Sequence, residues 1–581
     1  MLPFLSLALL PATAGRADAV SPLGVYWPQE RVGWLAQKAG LDPWEYQDRV
    51  LARLHDEHAC NMIWVVNIGT DDLVRLCALA AKHDMVVVGT PEPIIWWRQH
   101  RTPEFAVKCA EESVKRLAEA LGFGGYVLID EPRAWELPYL DAIRAELERL
   151  DPRHPTIMVT MRGDTPPAIQ RTDFGIITSD IYPFFADRSP NGPNPAPVSR
   201  AYYRLCAEAF GGQCQARGKT LWMMPQAFSE IWGDWYYDAQ GHCIAQPGAY
   251  LHWRMPTVGE TRWQIWEARA NGAQGVIFFV LFPPGNDRTA ESPPGQPLDN
   301  PFPKIAETAN TGQPAALLNA DSTDTPQLTA MGEEFAAIER LMPVLRGLQL
   351  SPFPAVVVEP PLHARTLRDG AGNLHAVIVN DSTDEPTTAE VAVLPGISGL
   401  RDLKHDTDIA LTAGHQDALR RATLALAPGE GTLLQLVAEP ARRPIATCVE
   451  DFTAPQITGA LAGGEVRARR LPWGVGWAYE VVPSAEGMPA TLTCDVTTLT
   501  GDPKVHRPSG PIFLIYEGRK PAEGEGVELS FSSNGQTFTR ANVDAFGQPT
   551  AIPNEASHVR FTVGTGAGLT SFCVVATERA E

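Results

Sequence analysis

The stretch from Gly125 to Pro132 reads Gly-Tyr-Val-Leu-Ile-Asp-Glu-Pro: an apolar run delivers two adjacent carboxylates, Asp130 and Glu131, and a proline stops it. Two carboxylates this close cannot ionise independently. Repulsion and partial burial raise the pKa of one, which becomes usable as a general acid while the other keeps its charge. The competing reading is structural, with Asp130 capping a helix and Glu131 paired with an arginine. Other polar residues close apolar runs in the same way: Glu92, Asp180, Tyr182 and Gln226. The metal-protease signature H-E-x-x-H, the G-x-S-x-G nucleophile turn and the P-loop do not occur in the sequence, which implies no metal and no cofactor.

Groups of this kind need a scaffold, and the chain between residues 23 and 345 alternates short β-rich runs with helical patterns. That alternation predicts a parallel β/α architecture. Eight strands are expected, at Leu23–Trp27, Asn61–Asn67, Met85–Gly89, Tyr126–Asp130, Thr156–Met161, Gly175–Asp180, Leu221–Pro225 and Val276–Phe282. Apolar residues at three- and four-residue spacing predict helices at Pro43–His58, Asp71–His83, Pro103–Leu121, Glu136–Leu150, Arg200–Arg217, Val258–Ala270 and Thr329–Leu345, with a weak one near Pro166–Gln170. No G-x-G-x-x-G follows the first strand, so a dinucleotide-binding sheet is disfavoured and a (β/α)8 barrel preferred.

In such a barrel the chemistry sits at the C-terminal ends of the strands. Glu92 follows the third strand, Asp130 and Glu131 the fourth, Asp180 and Tyr182 the sixth, and Gln226 the seventh. Strict alternation would send Asp130 and Glu131 to opposite faces. Both serve one site only if the strand ends at Asp130, and Pro132 biases Glu131 toward an extended or turn conformation.

Here the sequence resembles a known superfamily. Asp-Glu-Pro at the end of the fourth strand is similar to the (β/α)8-barrel glycoside hydrolases, and the adjacent Asp-Glu pair resembles that of the substrate-assisted β-N-acetylhexosaminidases, particularly the bacterial β-N-acetylgalactosaminidases. Ser179-Asp-Ile-Tyr-Pro-Phe184 and the Ala270-to-Phe279 approach to the eighth strand add weaker similarities. The resemblance implies a glycoside hydrolase in which Glu131 is the general acid/base. It also implies that Asp130 orients a 2-acetamido group, whose oxygen attacks the anomeric carbon.

One departure matters. Retaining enzymes with a protein nucleophile usually take it from the seventh strand, about 5–5.5 Å from the acid, and here that place holds Gln226, with Glu230 four residues on. A substrate-assisted route fits, or an inverting one in which Asp180 or Glu92 activates water. A third reading keeps the barrel as a non-catalytic carbohydrate-binding or scaffold protein. Sugar C–H faces stack on aromatic rings. Among the fifteen tryptophans, Trp27 and Trp96, with Tyr182, are the expected pocket wall, and Trp97, Trp232 and Trp235 lie on neighbouring loops.

After Leu350 the pattern becomes β only. The domain expectation is a signal peptide over 1–19, the barrel over 20–350, a small β-sandwich over 351–441 and a second β-sandwich over 445–581. The segment Phe531 to Phe538 reads as an Asn-Gly hairpin. The apolar run Leu2–Leu10 and the Ala17-Asp18-Ala19 site suggest export, and hence a secreted or periplasmic protein, although the n-region lacks Lys or Arg. The Pro/Gly-rich stretch Pro283–Pro314 is either a site wall or a disordered connector. Cys77 and Cys109 are expected as buried free thiols, while Cys448 and Cys573 are either bridged or an unpaired buried pair. The net charge of -20 would repel phosphate backbones and disfavours nucleic acid, and no later apolar run is long enough for membrane insertion. The expected partner is a carbohydrate substrate.

Overall fold

The computed structural model describes residues 21–97, 102–186, 196–233, 235–237, 243–245, 249–283, 315–412, 419–439, 442–451, 457–472, 475–485, 488–496, 499, 512–521 and 526–579. The expected signal peptide and nearly all of the Pro283–Pro314 stretch lie outside them. The chain forms two compact units, divided between Arg346 and Gly347.

In the first unit the strands are β1 Leu23–Tyr26, β2 Met62–Val65, β3 Val86–Gly89, β4 Phe123–Val127, β5 Thr156–Met161, β6 Ile176–Ile181, β7 Thr220–Pro225, β8 Glu230–Trp232, β9 Trp235–Tyr237, β10 Cys243–Ala245, β11 Tyr250–Trp253 and β12 Gly275–Phe278. Eight of them close a barrel in the order β1-β12-β7-β6-β5-β4-β3-β2. The expected (β/α)8 barrel is therefore the fold. The weak fifth connection is a helix, Thr165–Arg171, and two helices escaped the periodicity reading, Val32–Ala39 and Glu92–Trp97.

Alternate residues point inward, and Met62, Trp64, Val88, Val127, Ile157, Val159, Ile176, Trp222, Met224 and Ile277 pack together as the barrel interior. Outside it, helix Val258–Ala270 is buried along almost its whole length. Several of its buried polar groups are paired: Arg204 grips Glu267 at 2.9 and 3.1 Å, and Trp266 Nε1 donates to Glu334 at 2.7 Å.

The second unit is antiparallel β throughout. A six-stranded and a three-stranded sheet are built from strands between Gln349 and Ala438, and a six-stranded and a five-stranded sheet from strands between Arg442 and Arg579. These are the expected β-sandwich elements. The Phe531–Phe538 segment joins paired strands Val527–Ser532 and Thr539–Val543, with Gly535 at φ +71°. Cys448 and Cys573 are on paired strands but are free thiols, as are the buried Cys77 and Cys109.

Candidate active site

β6 carries Ile176 into the barrel interior, and the period of two sends Thr178 and Asp180 inward after it. Asp180 is the penultimate residue of β6 and only 8% exposed, and its Oδ1 is buried with no hydrogen-bond partner. Burial is the largest influence on its carboxyl, followed by a side-chain hydrogen bond with Glu131 and the charges of Glu131 and Asp130. Together they hold it well above the usual aspartate range. The surroundings of Asp180 thus favour its protonated form, with Glu131 as the facing carboxyl.

Glu131 arrives from β4 through a turn. Strand pairing ends at Val127, ahead of Asp130, and Glu131 takes φ +44°, the turn rather than the extended alternative expected before Pro132. A left-handed backbone costs a non-glycine residue roughly 1–2 kcal/mol. The turn replaces strand alternation, so facing is no longer decided by odd and even positions. The base of β4 is irregular too. Its register against β3 shifts at Val87–Val88, and Gly125 sits at φ +155°, where an added Cβ would lie 2.9 Å from the Pro155 carbonyl oxygen.

Both acids of the pair reach the same space, as two tyrosines record. The Tyr26 phenol at the end of β1 is pushed far up, first by burial and then by Asp130, with Glu30 and Glu131 adding and Arg31 opposing. Tyr182 is pushed up by burial, then by Asp180, Glu131, Asp130 and Tyr26. Both phenols stay neutral hydrogen-bond donors beside the acids. Asp130 is exposed and Glu131 half-buried. Among the described residues no ion pair joins Glu131 to a basic side chain.

Rings wall this cluster. Tyr182 meets Phe228 at 5.0 Å, Phe279 at 5.5 Å and Trp253 at 5.8 Å between centroids, and Tyr26 meets Phe279 at 4.7 Å. Tyr26, Phe228, Trp253 and Phe279 were not among the residues picked from the sequence. Trp253 comes from β11, which pairs with β8 in the excursion after β7. The excursion is tied to the loop after β6: Ala186 N donates to the His252 carbonyl at 2.9 Å, Arg254 N to that of Phe184 at 3.0 Å, and Trp253 Nε1 to that of Tyr182 at 3.2 Å.

Other expected residues take different parts. Gln226 is fully buried; its Oε1 accepts from Phe184 N at 2.9 Å and its Nε2 donates to the carbonyls of Arg254 at 2.8 Å and Phe228 at 3.2 Å. Its amide is spent on backbone, so Gln226 pins the loops together and is not a substrate contact. Trp27 is also fully buried, edge-on to Phe282 at 4.8 Å with its indole N–H given to Gln29, and it lines no open cleft. Glu92 opens helix Glu92–Trp97 half-buried, and the side chain of Trp96 lies outside the described residues. Glu230 accepts the Trp232 indole N–H at 3.0 Å at the start of β8.

Metal-ligating atoms converge elsewhere. Among the described residues one trio, Glu57, His58 and Asp324, brings such atoms within 4.8 Å of one another. There His58 Nε2 meets Asp324 at 3.0 Å and Arg53 approaches the same carboxylate at 3.4 Å, the pattern of an ion pair rather than a cation cage.

No family model matches the sequence, and no curated protein matches it. Among solved structures, a glycoside hydrolase family 5 protein from Bacteroides vulgatus is similar at 11% identity and a TM-score of 0.41, over 71% of this chain and 89% of that one. A family 27 β-L-arabinopyranosidase from Geobacillus stearothermophilus gives 9% identity and 0.39, over 72% and 98%. A family 29 α-L-fucosidase from Bacteroides thetaiotaomicron gives 11% and 0.37, over 72% and 93%. These chains are too distant for an activity to carry across from them.

Proposed function

We propose that the mouth of the barrel is the active site of a glycoside hydrolase acting on oligo- or polysaccharide by general acid/base catalysis. The observation that carries this reading is the facing Asp180–Glu131 carboxyl pair, with Asp180 buried and its pKa raised, beside Asp130 inside a wall of aromatic rings. A facing carboxyl pair next to an apolar, ring-lined space suits protonation of a leaving sugar oxygen.

The pair also favours one route. Carboxyls that flank a scissile bond stand about 5–5.5 Å apart in retaining enzymes and about 6.5–9.5 Å apart in inverting ones. Two carboxyls in hydrogen-bond contact leave no room between them for an anomeric carbon or an attacking water. Gln226, spent on backbone, supplies no nucleophile from β7. The substrate's own 2-acetamido oxygen is then the attacking group. In this reading Glu131 passes a proton to the leaving oxygen and later takes one from water. The exposed Asp130 orients the acetamido group, and Tyr26 and Tyr182 donate hydrogen bonds to the sugar.

The test is hydrolysis of aryl N-acetylgalactosaminide, N-acetylglucosaminide, galactoside and glucoside by the full chain and by Glu131→Gln. Cleavage confined to the 2-acetamido sugars and lost in the variant supports the route. Cleavage of galactoside or glucoside at a similar rate overturns it and points to a two-carboxylate mechanism. Saturable sugar binding without cleavage of any member leaves a carbohydrate-binding barrel. The apolar Leu2–Leu10 run supports placing the protein in the periplasm or outside the cell, which fractionation of expressing cells tests.

A further inference from the structure

Trp232 is one of the few large rings the barrel unit leaves exposed, at 41%. Ordinarily such a side chain sways on its two torsions, but this one is held. Its indole N–H donates to Glu230 at 3.0 Å, and one face lies flat on the His252 imidazole, 3.7 Å away and tilted by 13°. Its edge meets Trp253 at 5.5 Å. His252 beneath it is 1% exposed, and burial holds its pKa down at about 4, so the ring under the tryptophan is uncharged. The outward face of Trp232 is what remains, a rigid apolar plane open to solvent.

That plane is linked to the active site by successive ring contacts. Tyr182, beside the carboxyl pair, lies 5.8 Å from Trp253, and Trp253 lies 5.5 Å from Trp232. Each step is comparable to the advance of one unit along a pyranose chain. The spacing is also fixed by backbone. β8 and β11 are paired, and residues 184–186 hydrogen-bond to residues 252–254, so the platform and the loop that carries Tyr182 form one small sheet. Phe185 closes the layer, stacked on Trp253 at 6.0 Å and edge-on to His252 at 5.2 Å.

We propose that Trp232 is the stacking platform of an outlying subsite that takes a pyranose ring of the substrate a short distance along the chain from the bond under attack. This rests on the glycosidase reading and narrows it: the substrate is an oligosaccharide of at least three units, and its length is sensed at Trp232. The platform is a binding element and takes no part in bond cleavage. Its ligand is a sugar presenting several axial C–H bonds on one face, which is the surface an indole attracts.

The experiment uses the full chain carrying Glu131→Gln, so that bound sugars survive. Chito-, cello-, xylo- and β-galacto-oligosaccharides of one to four units are titrated calorimetrically, with Trp232→Ala and Trp232→Phe added to that background. The expected result is that at least one series binds more tightly from the monosaccharide to the trisaccharide. Trp232→Ala should weaken the trisaccharide about tenfold while leaving the monosaccharide unchanged, and Trp232→Phe should restore most of the loss. Affinity that does not grow with length in any series, or a trisaccharide that Trp232→Ala binds as tightly as its parent, overturns the platform. A separate outcome marks the underlying reading. If the unmutated chain cleaves no glycoside yet shows the length-dependent binding lost in Trp232→Ala, the platform stands and the hydrolase reading falls.

Discussion

Asp180 and Glu131 come from strands that are not neighbours in the barrel, yet their carboxyls face each other, and Glu131 is among the influences that hold the Asp180 carboxyl above the usual aspartate range. β5 separates the two strands, so only the left-handed turn at Glu131 and the inward register of β6 bring them together. The pair sets both the chemistry available at the mouth and the energetic cost of keeping it there.

Loss of the Glu131 carboxylate should abolish turnover while the fold survives. Glu131→Gln keeps the shape and a partner for Asp180, so the expectation is a fall in kcat of about 10²–10⁴-fold, the usual worth of a positioned acid/base. The melting temperature and far-ultraviolet circular dichroism should be close to those of the parent. Steady-state kinetics on the best glycoside of the panel checks it.

Asp180 should make the protein less stable as pH rises. Its folded-state pKa is raised, so over the interval above the ordinary aspartate value the folded chain binds a proton that the unfolded chain has released. Stability present at low pH is therefore lost as pH climbs through the folded value. Asp180→Asn removes that loss. It should be more stable than the parent by roughly 1–3 kcal/mol at pH 8 and nearly equal to it at pH 4. Urea unfolding at the two pH values reads the difference, and activity should fall with the gain in stability.

Relief of the backbone turn offers a second stabilising change. At φ +44° glycine is at ease and glutamate is not. Glu131→Gly should therefore gain about 1 kcal/mol over Glu131→Ala, with both inactive. Parity between them in denaturant titrations would mean that the turn carries no strain.

Gln226 is expected to behave as a loop fastener. Gln226→Leu leaves the carbonyls of Arg254 and Phe228 and the amide of Phe184 without their partner, so the loss should be about 2–4 kcal/mol of stability. Gln226→Glu should not create a nucleophile, since a charge there is buried against carbonyl oxygens. Thermal melts of both variants, with KM and kcat measured separately, distinguish a fastener from a substrate ligand.

Acid should loosen the aromatic layer. With its pKa held at about 4 in the fold, the contribution of His252 to stability is complete above its ordinary value near 6.5 and is lost as pH falls toward 4. His252→Phe keeps a ring beneath Trp232 and should flatten the dependence of tryptophan emission on pH between 6.5 and 4.

The barrel was legible because each of its strands is an apolar run followed by a helical period, a pattern that survives without knowledge of partners. Asp130, Glu131, Asp180 and Tyr182 were legible for the same reason, as polar residues where those runs stop. What the pattern concealed was pairing. Glu131 precedes a proline, whose local bias leaves extended and turn conformations open, and only the fold chooses the turn. Gln226 has the position of a ligand, and only the backbone of residues 184, 228 and 254 reveals that its amide is already used. Trp253 and Phe228 sit in a stretch without strand alternation, so nothing local marks them as wall. Trp27 failed the other way: a tryptophan at a strand end is as often core as cleft, and here it is core.

The barrel interior is solid. Trp64, Trp222, Met62, Met224 and their aliphatic neighbours fill it below the carboxyl pair, as side-chain layers do in barrels of this size. Among the described residues this packing leaves no passage through the barrel. For a glycosidase as proposed, water, incoming sugar chain and departing fragments would then share the mouth of the barrel, and whatever grips a glycan at the rim would also retard the exit of its pieces. An enzyme with a rigid aromatic ledge at that doorway would be expected to slow as its own longer products accumulate, and to work fastest where something else removes them.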